Sequence, residues 1–171
     1  DGKETTYLYF KKRQFVGFVP LMNNLHLNYY GKKSFSIVAK TPCVAYRISN
    51  RQFQELLVFP SVVSLMLNTL TENHIYLMEH FHSSKNEPAL VQFCRFLLDQ
   101  AEPCESGHLA LNTFFTYQEI SCYLGMHSVT IARMVKALRA EEMIEKTGHQ
   151  IQIINPEQMA KLITEERKID Y

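Results

Sequence analysis

His127, Ser128, Val129, Thr130, Arg133 and Lys136 fall within ten residues of one another. Helical spacing leaves them off the apolar stripe of one short segment. An imidazole and two hydroxyls exchange hydrogen bonds, a valine gives a small apolar contact, and two cations attract phosphate. That mixture suits the reading of base edges more than the making or breaking of bonds.

The elements that must hold these residues are legible on either side. Ile131, Met134, Val135 and Leu138 recur at a 3.6-residue period and predict the buried face of the same helix. Upstream, Thr116 and Glu119 have the S/T-x-x-E form of a capping box. Ile120, Tyr123 and Leu124 then give a first short helix one apolar face. Gly125 supplies a residue tolerant of φ > 0 just past its end. Two short helices with a glycine in the turn match the helix-turn-helix unit, whose second helix can lie in a DNA major groove.

The run TYQEISCYLG…SVTIARMVKAL, followed by EEMIEKTGHQIQII, resembles the C-terminal winged helix-turn-helix of the cyclic-AMP receptor protein/FNR regulators. The family pattern is T-x-x-E-I/L-A-x-x-L/V-G-x-S-x-x-T-V/I-x-R-x-L-x-x-L, then a glycine-bearing hairpin. Thr116, Glu119, Ile120, Leu124, Gly125, Thr130, Ile131, Arg133 and Leu138 fall on it. The family carries Arg-Glu just before the conserved threonine, and this chain has Ser128-Val129. The resemblance therefore implies an A·T-rich palindrome: Val129 can touch a thymine methyl, Ser128 either base type, and Arg133 a guanine or phosphate. Thr116, Tyr117, Gln118 and Lys136 are expected on phosphates, with Thr147–His149 of the wing on a flanking one. A similar Val-Thr pairing occurs in the halorespiration-regulator branch, which the barrel half also resembles.

The resemblance runs over nearly the whole chain, lacking roughly the first half of the effector barrel. It implies an α+β fold of three parts. Residues 1–59 are the C-terminal part of a cyclic-nucleotide-binding-like β-roll, 60–84 a long dimerisation helix, and 85–171 the winged helix-turn-helix. In the roll, strands are expected over Thr6–Phe10, Phe35–Ala39 and Val44–Ile48. The cAMP-binding form has Gly-Glu-Leu and Arg-Ser, and here the matching positions are Gly17-Phe18-Val19 and Lys33-Ser34. Phe18 cannot accept a hydrogen bond from a ribose, and Lys33 offers no bidentate fork to phosphate. Gly17, Phe18, Lys33 and Ser34 thus point to an effector other than cAMP, aromatic or acidic; the bland alternative is a hairpin edge with solvated lysines.

Val63, Leu67, Leu70, His74, Leu77 and Phe81 are spaced 4, 3, 4, 3, 4, the seam of a two-stranded coiled coil. A second stripe (Val62, Leu65, Met66, Tyr76) gives that helix another partner, so a parallel homodimer is expected. His74 reads as a register-setting polar residue, and His80 and His82 as solvated, rather than as a metal site. Ser49 is the expected cap of a short helix Asn50–Leu57. A hinge is expected at Ser84–Asn86, with Asn86 or Glu87 capping the next helix.

Composition sets the outer limits. The chain has 171 residues, 46% hydrophobic, and a net charge of +1, enough for a real core but no general polyanion binder. The motif and wing balance Arg133, Lys136, Arg139 and Lys146 against four glutamates, three of them at 141–145. No apolar run of membrane-spanning length occurs, and a cytoplasmic protein is expected. Cys43, Cys94, Cys104 and Cys122 have no C-x-x-C spacing and read as reduced thiols. No cofactor, metal or catalytic residue is expected: no nucleophile–histidine–acid spacing, Gly-rich phosphate loop or H-E-x-x-H is present. The expected partners are double-stranded DNA, a second copy, a small-molecule effector and RNA polymerase. The rival reading is an effector-sensing or dimerisation module without DNA regulation.

Overall fold

A computed structural model describes residues 5–18, 36–164 and 168–171. The chain divides into two compact units, one of residues 8–77 and one of 78–171 with the first few residues.

In the first unit, helix α1 (Asn50–Leu56) starts at Ser49, whose hydroxyl accepts from the Gln52 N–H while the Gln52 amide oxygen accepts from the Ser49 N–H. Helix α2 (Pro60–Asn86) follows, beginning in this unit and ending in the second, with proline at a first-turn position that needs no N–H. Phe18, Phe53 and Met66 form a small core, flanked by half-buried Phe15, Ile48, Leu57 and Val62. Phe18 is thus a packed core residue, with the Phe15 ring edge-on to it at 6.3 Å. Among the described residues, 5–10, 36–39 and 44–48 of the expected roll strands join no sheet, and Phe35 lies outside the described residues. Alternation alone makes no strand, because a strand is defined by the ladder of a neighbour. Val44 and Tyr46 accordingly lie 87% and 92% exposed.

Helix α2 is apolar on two sides, as its sequence requires. Met66 is buried, and Val62 and Tyr76 are half-buried, whereas Leu65 is exposed. Along the seam, Val63 is half-buried and Leu67, Leu70, His74, Leu77 and Phe81 are exposed.

In the second unit, helix α3 (Ala89–Gln100) leads through strand β1 (Glu102–Pro103) to β2 (Leu109–Ala110), helices α4 (Tyr117–Leu124) and α5 (Ser128–Ala140), strands β3 (Ile144–Thr147) and β4 (Gln150–Ile153), and helix α6 (Pro156–Ile163). The strands form one antiparallel sheet in the order β1-β2-β4-β3. In the wing hairpin Thr147 pairs with Gln150 and Ile144 with Ile153, and Leu109 joins the far side of Ile153. Ile151 and Ile153 alternate inward to meet a core of Phe93, Leu97, Leu111, Ile120, Ile131, Met134, Leu138, Met143 and Met159. Cys94 belongs to this core, and burial pushes its thiol up to about 12, the mark of an inert packed cysteine.

The junction between α2 and α3 differs from expectation. Ser84–Asn86 is the last turn of α2, and Pro88 starts α3 with no side-chain cap bond. The Asn86 amide donates backward to the His82 carbonyl (3.0 Å), and the Glu87 carboxylate takes Arg95 on α3 (2.6 Å) together with the Ser83 hydroxyl. Neither residue caps α3, because each has a better partner elsewhere.

Burial works against the charge on Glu87, but the Arg95 and Ser83 hydrogen bonds outweigh it and hold the carboxyl below its ordinary value. The stability this supplies is complete above the unfolded-chain value, about 4.3, and is lost as pH falls through the lower folded value. Urea midpoints measured from pH 6 down to pH 3 should therefore fall less steeply in Glu87→Gln than in the parent.

Candidate nucleic-acid interface

The candidate face is built by the way two helices terminate. Thr116 caps α4, its hydroxyl accepting from the Glu119 N–H at 3.2 Å. Gly125 ends the helix at φ 68°, in the left-handed region, with its N–H on the Ser121 carbonyl at 3.0 Å. The chain then reverses within Met126–His127 and α5 begins. His127 is the N-cap: its Nδ1 accepts from the Val129 N–H at 3.2 Å, so the proton of the neutral ring sits on Nε2.

Helix α5 turns Ile131, Met134, Val135 and Leu138 into the core, each 2% exposed or less. His127, Val129, Arg133 and Lys136 are left exposed, and Ser128 and Thr130 half-buried at the same edge. Val129 is 59% exposed, an unusual position for a β-branched apolar residue on an otherwise well-sorted helix.

Around this face the cations are held loosely. Arg133 Nη2 donates to the Tyr171 carbonyl at 2.9 Å. On the wing, Lys146 Nζ lies 5.4 Å above the Tyr117 ring and donates to the Gly148 carbonyl, a cation–π contact that ties the hairpin to the start of α4. Tyr117 is raised by burial, with the nearby Arg139 charge opposing the shift. Gln118 donates to the Cys122 sulfur at 3.7 Å, and Glu141, Glu142 and Glu145 are exposed.

Residues 91–162 match the model of the Crp-like helix-turn-helix domain. A probable transcriptional regulator, flp, from Lacticaseibacillus casei is 28% identical over 160 residues, 93% of this chain and 69% of that protein. Residues 91–162 are a Crp-like helix-turn-helix domain. The fold of this chain recurs in a CooA mutant from Carboxydothermus hydrogenoformans, with TM-score 0.59 and 17% identity over 66% of this chain and 54% of that one. It recurs in FixK2 from Bradyrhizobium japonicum, with TM-score 0.58 and 19% identity over 64% and 56%. The chain spans a little over half the length of those solved chains.

Within the Crp-like domain, the structure brings Thr116, Tyr117, Gln118, His127, Ser128, Val129, Thr130, Arg133 and Lys136 onto α4 and α5 and their caps. Of the effector residues, Gly17 has φ 74° and Phe18 is buried; Lys33 and Ser34 lie outside the described residues. Sequence reasoning missed two contacts at or beside the face and the cap role of His127. Lys146 on Tyr117 and Tyr171 on Arg133 join residues far apart in the chain, and no local pattern marks them. The cap role of His127 had a signal, its place directly before a helical run.

A Cβ built on Gly125 meets nothing within 4 Å, so Gly125→Ala carries a conformational cost only, about 1–2 kcal/mol. Chemical denaturation should show that loss, and Gly125→Asn a smaller one.

Proposed function

We propose that this protein is a sequence-specific transcription regulator that binds an A·T-rich palindrome as a parallel homodimer, controlled by a small-molecule effector other than cAMP. It acts in the cytoplasm, with RNA polymerase as a further partner. The observation that carries the reading is the sorted surface of α5: its apolar side is fully packed, and exposed Val129 stands among polar and cationic groups. A valine in that setting gains by meeting an apolar group that arrives in a polar partner, which is what a thymine methyl in the major groove provides.

The chemistry follows from the positions. Ser128 exchanges hydrogen bonds with either base type, and Val129 covers the thymine methyl. Arg133 leaves the Tyr171 carbonyl for a guanine edge or a phosphate, a charge-assisted replacement for a neutral acceptor. The Thr116 hydroxyl accepts from Glu119 N–H and keeps its own proton for a phosphate; Tyr117, Gln118 and Lys136 hold others. Near-neutral charge makes direct contacts carry more of the affinity than counterion release does.

Dimerisation is supported by the exposed stripe Leu67, Leu70, Leu77 and Phe81 on α2. Its 4-3 spacing suits a second copy in parallel, and each large side chain covered contributes roughly 1.5–3 kcal/mol before ordering costs. An effector other than cAMP is supported by Phe18, which offers no hydrogen bond and is packed against Phe53 and Met66.

Selection from random duplexes should return an A·T-rich palindrome, and Val129→Arg should move the preference toward G·C. Unchanged selection in that variant would remove Val129 from the interface. Sedimentation should give a dimer for the parent and a monomer for Leu70→Glu. A dimer that ignores every duplex would instead mark a dimerisation module.

A further inference from the structure

A side-chain cluster outside the reading face ties the end of the seam helix to the Crp-like domain. Glu87 stands at the break between α2 and α3, one residue before Pro88. Its carboxylate accepts from Arg95 Nη2 at 2.6 Å and Nε at 3.3 Å, and from the buried Ser83 hydroxyl on α2. Gln92 donates to the Glu87 carbonyl at 2.8 Å. One turn earlier on α2, the His80 ring lies 4.6 Å from Tyr123 on α4, and Tyr123 lies 5.3 Å from Phe96 on α3. The last turns of α2 are thus held at two levels, by a planar fork and by a ring contact.

The fork matters because of its geometry. Two parallel N–H bonds from a guanidinium fix orientation as well as distance, which a point charge does not. Only Glu87 and Pro88 separate the two helices, and the proline fixes its own φ. The joint has little slack, and the fork removes what remains.

We propose that Glu87, Arg95 and Ser83 are positioning residues that lock each reading helix to its own seam helix, so that the dimer accepts one spacing between half-sites. This rests on the DNA-reading proposal above. Two linked modules engage together only when the link spans their sites, and a stiff link tolerates little error. Each added base pair rotates the second half-site by about 35°. A locked pair of heads cannot follow that rotation, whereas a loose pair can.

None of the three residues lies on α5, so their loss should change spacing tolerance and leave half-site sequence alone. A fold defect would instead weaken every site together. The test compares the full chain with Glu87→Gln and Arg95→Lys on the selected palindrome with spacers lengthened or shortened by two base pairs. Arg95→Lys keeps the charge and removes the fork, and so serves even where Glu87→Gln unfolds. The parent should favour its best spacer by about tenfold, and both variants by about threefold or less with the same half-site sequence. Undiminished spacer preference in the variants, or loss of the half-site preference itself, would overturn the clamp. A parent that selects no palindrome overturns the DNA-reading proposal, and the clamp falls with it.

Discussion

The arrangement depends on how α5 is seated. Ile131, Met134, Val135 and Leu138 are packed with essentially no exposure, against α4, β3 and α3. Each contributes roughly 1.5–3 kcal/mol by burial, and four on one stripe fix the rotation of the helix about its axis. A one-residue slip would turn the stripe by about 100° and expose apolar groups while dragging cations inward. The outward set around Val129 is therefore a consequence of the inward set. The chemistry of the face and the stability of the domain come from a single periodicity.

The supports of that helix work in the same direction. Gly125 reverses the chain without strain, and His127 satisfies a first-turn N–H that would otherwise be orphaned. Lys146 over Tyr117 joins the wing to α4, so the hairpin and the motif present one continuous surface. The three glutamates after α5 are exposed and need not oppose a phosphate, since solvent and salt screen them beyond about 10 Å. Weak attachments such as Arg133 to a backbone carbonyl are easily exchanged. An exposed neutral-acceptor bond is worth only about 1 kcal/mol.

The motif was legible because its determinants are local. Thr116, Ile120, Gly125 and Leu138 act through neighbours three to four residues away, and the same holds for the Ser49 cap. Leu109–Ala110 becomes a strand because β4 supplies the facing side of its ladder. The segments expected as roll strands find no such partner among the described residues, and alternation within a segment does not name its partner. The Glu87–Arg95 fork was hidden by the helix break at Pro88: eight residues apart is no helical neighbour distance, and Glu87 looked like a cap. Tyr171 at Arg133 spans 38 residues, beyond any pattern of turns or faces.

The outer strand of the four-stranded sheet is only Glu102–Pro103. Proline has no amide hydrogen to offer a newcomer, and the neighbouring carboxylate adds charge to the rim. The opposite rim, β3, carries Glu145 and Lys146. Concentrated solutions of such domains have poor templates for ribbon-to-ribbon growth.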